Sequence, residues 1–163
     1  MVTQFVQLYE SNEDAVKSEV ATFLEAFPNG MVFANTVQGQ GYDVVLVGQV
    51  EPNKIDIDKM QARLSSPEYA KLAQSLRDIG IYSAVDLVGT YAGSATDLQP
   101  WTKDAMINRD RNLRLQYLAG LSLNTYSADP IYIDMTKTAR YPENLFTGSE
   151  SALGYLRQVI GPR

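Results

Sequence analysis

The chain contains no cysteine and no histidine among its 163 residues. A Ser-His-Asp triad, a Cys nucleophile, a Cys/His zinc site and a disulfide are therefore excluded within it. Carboxylates, Lys, Tyr, Ser/Thr and amides remain for chemistry, and the metal they suit is a hard, oxygen-ligated cation. Positive charge is also scarce: 14 Lys and Arg stand against 19 Asp and Glu, for a net charge of -5. An acidic chain has a poor general grip on phosphate backbones, so no nucleic-acid partner is expected. The one basic concentration, Arg109, Arg111 and Arg114, is interrupted by Asp110 and lacks the interleaved aromatics of a strand-binding groove. Long apolar runs are missing too. No stretch approaches the roughly 20 residues of a spanning helix, and Met1-Val2-Thr3-Gln4 is not the basic start of a signal peptide. No direct membrane insertion and a cytoplasmic location are expected.

What is present is a globular balance, 45% hydrophobic and 20% charged. The length suits a single domain or domain fragment over 1–163, with a sheet-bearing part at 1–50 and a mainly helical tail at 51–163. Val2, Phe5, Val6, Leu8 and Tyr9 predict an opening strand, unbroken by Gly or Pro. Ser11 or Asn12 then offers an N-cap, Glu13 and Asp14 suit a helix start, and Val16, Val20, Phe23, Leu24 and Phe27 follow at helical spacing until Pro28-Asn29-Gly30. A second strand is predicted over 31–37 and a third over 42–50, joined by Gln38-Gly39-Gln40-Gly41 as an antiparallel hairpin. The run Val44-Val45-Leu46-Val47 predicts a third strand covered on both faces. Further on, helices are expected around Ile57–Leu64, after Ser66-Pro67 to Gly80, from Ser83 through Tyr91 to Gly93, around Asp97 to Met106, and over Ser151 to Ile160. Residues 107–148 read as irregular structure with short helical turns.

Few constellations survive chemical scrutiny. Gly39-Gln40-Gly41 precedes a strand rather than opening a helix, so it cannot place a helix N-terminus against a phosphate. A hairpin loop needing positive φ accounts for it. Asp56 and Asp58 flank Ile57 and could hold a hard cation, but helix N-capping accounts for them more simply. Trp101, the only Trp, sits among apolar neighbours as a core or interface anchor. No metal site is expected.

Four segments carry a family resemblance. Val2 to Tyr9, the helix ending Phe23-Leu24-Glu25-Ala26-Phe27-Pro28, the stretch Gly41 to Gly48, and Ile107-Asn108-Arg109-Asp110-Arg111-Asn112-Leu113-Arg114-Leu115-Gln116-Tyr117 resemble the closing part of a spermidine synthase-like domain. That family has a methyltransferase-like fold, a mostly parallel sheet that binds S-adenosyl compounds and ends in an antiparallel hairpin. The resemblance implies an α/β fold class: the C-terminal portion of a Rossmann-like methyltransferase-type sheet (strand, helix, antiparallel hairpin) followed by a helical tail. It also implies that the Gly-rich adenosyl-binding motif and the catalytic carboxylates lie upstream of Met1, so no catalytic or cofactor-binding residue is assigned here. Gln4 falls near the family's substrate-side Gln and is the one substrate-binding residue carried over, with an exposed polar strand residue as the plainer account. Asn35-Thr36-Val37-Gln38 stands where the synthases carry Pro-Thr-Tyr-Pro, so their substrate-lining Tyr has no counterpart. Asn108 and Asp110 match the later motif, whereas Arg109, Arg111, Leu113 and Gln116 depart from it; the segment reads as a structural loop.

Two functions are expected to compete. In the first, the chain is the C-terminal segment of a spermidine synthase-like domain, inactive alone, whose complete parent binds S-adenosylmethionine or its decarboxylated form and could be membrane-tethered. Its partner is then the N-terminal part of the same domain. In the second, the chain is a non-enzymatic assembly or interaction module that uses an open sheet edge, with a homo-oligomer partner.

Overall fold

A computed structural model describes residues 1–37, 40–121 and 125–161. In chain order the elements are β1 (Val2–Gln7), α1 (Glu13–Ala26), β2 (Met31–Val37), β3 (Gln40–Gly48), β4 (Ile55–Asp56), α2 (Ile57–Leu64), a 3-10 turn (Pro67–Tyr69), α3 (Ala70–Asp78), α4 (Ala84–Val88), β5 (Tyr91–Ser94), α5 (Ala95–Thr102), α6 (Arg114–Ala119), α7 (Ala128–Thr136), β6 (Phe146–Thr147) and α8 (Glu150–Ile160). The chain is mixed α/β. Its described residues form two compact units, 1–52 with 91–139 and 53–90 with 140–161.

The first unit is built on a four-stranded sheet in the order β1-β3-β2-β5, with every neighbouring pair antiparallel. β1 and β2 therefore run in the same direction with β3 inserted between them, and α1 connects them. Asn12 caps α1, its Oδ1 accepting from the Ala15 N–H at 2.8 Å, which satisfies one of the helix's orphan donors. The face of α1 bearing Val16, Val20, Phe23 and Leu24 packs with Val6 and Leu8 of the first strand segment, Val32, Ala34, Val44 and Leu46, and with Leu98, Trp101, Ile131 and Met135 of α5 and α7. Each fully buried side chain of this size contributes roughly 1.5–3 kcal/mol. Two glycines permit the close packing: a Cβ at Gly48 would lie 2.6 Å from the Phe27 ring, and one at Gly41 would collide with Tyr132 of α7.

The second unit pairs β4 with β6 in parallel over two residues. Asp58 ties them down by accepting from the Ser149 N–H at 2.6 Å and its hydroxyl at 3.0 Å, while Gln61 accepts from the Ala84 N–H at 2.8 Å. Ile57, Ala84, Val88, Phe146, Leu156 and Ile160 are buried. Arg157 pairs with Glu143 at 2.8 Å and lies over the Tyr141 ring.

Several expectations need correction. The mainly helical tail over 51–163 also carries β4, β5 and β6, and the helix expected through Tyr91 to Gly93 ends at Val88. Tyr91, Ala92 and Gly93 instead form a short apolar run that closes the outer edge of β2, a pairing no local pattern specifies. The third strand lies over 40–48 rather than 42–50. It is covered fully on one side only: Val44 and Leu46 are buried, whereas Val45 and Val47 are half-buried. No parallel pairing occurs in the four-stranded sheet among the described residues.

Candidate functional site

β1 lies at the rim of its sheet, and among the described residues no strand pairs with its outer side. Its ladder with β3 matches residues whose numbers sum to the same value, Val2 with Gly48 through Gln7 with Asp43, and continues with the Leu8 N–H donating to the Tyr42 carbonyl at 3.2 Å. Backbone groups alternate in direction along an antiparallel strand. The even-numbered residues therefore bond to β3, and the N–H and C=O of Thr3, Phe5 and Gln7 point outward. Proteins usually blunt such an edge with Lys, Pro, a bulge or a covering element. Here Met1 to Tyr9 has no charged side chain and no Pro, and Val2 and Phe5 are 48% and 54% exposed. A cavity of about 250 Å³ flanks the edge, lined by Phe5, Gln7, Glu10, Ser11, Ala15, Glu19, Leu115 and Ala119.

Gln4 is half-buried beside this cavity, on the α1 side of the sheet. Its Nε2 donates to Glu19 Oε1 at 2.6 Å. Burial pushes the Glu19 carboxyl above its usual range, and the Gln4 amide pulls it partly back. The amide thus has one firm partner within the chain.

A second group of polar side chains sits at the end of the sheet where β1 and β2 both finish. Cross-strand register aligns Gln7, Asp43 and Asn35 in a row over three strands. The Asn35 amide donates to Asp43 Oδ2 at 3.3 Å. Burial raises the Asp43 carboxyl, opposed by that hydrogen bond. Next to it Tyr9 stacks on Tyr42 with ring centroids 4.6 Å apart, and loss of hydration, together with Tyr42, Asp43 and Glu10, holds the Tyr9 hydroxyl up. Glu10 has a left-handed backbone, φ 50°, and its N–H donates to the Thr125 carbonyl, which closes the rim at this end. The row can accept a proton or orient a polar ligand.

The other candidates of the sequence have structural roles. Asp56 caps α2 through the Lys59 N–H at 2.9 Å, and Asp58 holds Ser149. No group of His, Cys, Asp or Glu among the described residues could hold a metal ion. Trp101 is buried in the core with Lys17 over its ring at 5.6 Å. Gly39 lies outside the described residues, and Gly41 belongs to β3 without a positive φ; the proximity of Tyr132, rather than a turn, demands glycine there. Asn108 to Leu113 form a loop, and Arg114 to Tyr117 open α6. Asn108 Oδ1 accepts from the Leu115 N–H at 3.0 Å, and Asn112 bridges Arg109, Arg114 and Ile107. Its start is pinned to α1 by Thr22 and Ser18. Asp110 is exposed, and Arg109 pairs with Glu25 at 2.6 Å.

Sequence reasoning did not single out Glu19, Asp43 or the Tyr9/Tyr42 pair. Asp43 carried a usable signal, a lone carboxylate opening an otherwise apolar strand. Glu19 carried a weaker one, an acid between the buried helix residues Ser18 and Val20. No helix among the described residues is long and apolar enough to cross a membrane. No protein-family model, curated protein or solved structure matches this chain.

Proposed function

We propose that the chain is the C-terminal segment of a spermidine synthase-like, S-adenosyl-binding domain, and that another polypeptide segment supplies the adenosyl-binding loop and catalytic carboxylates. The supporting observation is the sheet order β1-β3-β2, in which an antiparallel hairpin strand is inserted between two like-directed strands joined by a helix. A methyltransferase-type sheet ending in a hairpin has this arrangement, and its remaining strands would continue past β1, whose outer side pairs with no strand among the described residues. In this reading the chain alone is inactive and cytoplasmic, and S-adenosylmethionine or its decarboxylated form belongs to the complete parent. Gln4 serves as a substrate-side amide oriented by Glu19.

Calorimetric titration with both S-adenosyl compounds tests the reading. No heat of binding is expected from the chain alone, and micromolar affinity would overturn it. The neighbouring coding sequence is expected to specify a strand, a Gly-rich loop and an acidic residue, and co-production of that segment is expected to create binding.

A second reading has its own support. An uncharged, unblunted edge strand is what a non-enzymatic assembly module would present to a partner.

A further inference from the structure

We propose that a small cavity between the start of α1 and the segment joining α5 to α6 binds a small zwitterionic α-amino acid, its carboxylate on Arg114 and its ammonium group on Asp14. The cavity measures about 120 Å³ and is lined by Asp14, Lys17, Asp104, Ala105, Met106 and Arg114. All six belong to the first unit. The site lies apart from the β1 rim and rests on neither reading of that edge.

Charge pairing selects the ligand. Asp14 and Lys17 stand three residues apart on α1 and so share a face of it. Lys17 is already engaged: its Nζ meets Glu13 at 2.8 Å and Asp104 at 3.4 Å, and it lies over the Trp101 ring. Two lining charges of opposite sign are left over. The half-buried Arg114 guanidinium has no ion-pair or hydrogen-bond partner among the described residues, and its Nε is buried without an acceptor. The Asp14 carboxylate has no such partner among them either, and the two do not pair with one another. Buried polar groups and half-buried charges are ordinarily satisfied, so the exception points to a missing anion beside Arg114. A guanidinium fork matches a carboxylate in two parallel hydrogen bonds. A carboxylate alone would answer Arg114 while facing Asp14 and Asp104; an amine alone would answer Asp14 while facing Arg114 and Lys17. An α-amino acid answers both.

The walls are fixed in advance. The Ser18 hydroxyl donates to the Met106 carbonyl at 2.6 Å, and the Arg114 backbone N–H donates to Asn112 Oδ1 at 3.2 Å. A preorganised site loses little freedom on binding. At about 30 Å³ of liquid volume per water, about 120 Å³ admits a ligand of roughly glycine to serine size.

Residue-resolved NMR titration of the full chain with L-alanine, acetate and ethylamine tests the proposal. L-alanine is expected to shift the Lys17, Met106 and Arg114 signals saturably in the millimolar range. Acetate and ethylamine, each lacking one charge, are expected to bind about tenfold more weakly, the effect of losing about 1.4 kcal/mol. Arg114→Met and Asp14→Asn are each expected to weaken L-alanine by a similar factor. Asp14 is exposed, so its variant keeps the test decisive if Arg114→Met disturbs folding. Absence of saturable shifts at these residues overturns the proposal, as does a folded variant of either residue that binds like wild type. Acetate binding as tightly as L-alanine overturns the zwitterion and leaves a plain anion site. The S-adenosyl reading stands or falls separately, on its own titration.

Discussion

The Gln4 amide reaches 2.6 Å across from β1 to the Glu19 carboxylate on α1, joining the rim strand to the helix that crosses behind it. The bond favours the charged form of an acid whose burial favours the neutral one. Removing it therefore has a defined electrostatic consequence.

Gln4→Leu leaves Glu19 half-buried with that donor gone. At neutral pH the variant is expected to lose about 1 kcal/mol, the scale of one hydrogen bond to a charged group after partial exposure is discounted. The loss is expected to shrink as pH falls and Glu19 takes up its proton. Urea unfolding at several pH values measures both; a loss that grows in acid would contradict this assignment.

Asp43 gives a second pH signature. Its folded carboxyl is raised above the unfolded value near 3.9 by burial. Between the two values the folded state binds more protons, so this group's penalty is fully present above the raised value and is relieved as pH drops through the window. Asp43→Asn removes the titration while keeping an amide beside Asn35. The variant is expected to be more stable than wild type at pH 7, with the advantage fading toward pH 4. Thermal unfolding across that range is the check.

Gly48→Ala sets a methyl group 2.6 to 2.8 Å from ring atoms of Phe27 and Phe23. Overpacking of this kind costs about 1–3 kcal/mol. Pairing it with Phe27→Leu is expected to recover part of the loss, which a double-mutant cycle by chemical denaturation would reveal.

Asn108 and Asp110 are expected to separate cleanly. Asn108→Ala removes the acceptor of the Leu115 N–H and is expected to cost about 1 kcal/mol. Asp110→Ala, at an exposed position, is expected to change stability by less than about 0.5 kcal/mol. Equal effects at the two sites in thermal unfolding would refute the structural account of this loop.

The parts legible in the sequence are those set by near neighbours. Asn12 before Glu13 and Asp14, the helical spacing of Val16, Val20, Phe23 and Leu24, Asp56 at the start of α2 and Gly80 after α3 are all local statements, because caps and amphipathic periodicity involve groups within a turn or two. The hairpin of β2 and β3 was legible for the same reason. The uncharged character of β1 was visible too, but not its place at the rim of the sheet.

Tertiary structure alone decided where distant segments meet. The insertion of β3 between β1 and β2, the closure of β2 by Tyr91 to Gly93, the hold of Asp58 on Ser149 and the approach of Tyr132 to Gly41 each join residues far apart in the chain. No local propensity encodes such pairings, since they form where packing surfaces and unpaired backbone groups find one another. The absence of His and Cys bounded the chemistry from the outset; the placement of Gln4, Asp43 and the open backbone of Thr3, Phe5 and Gln7 followed only from how the sheet was assembled.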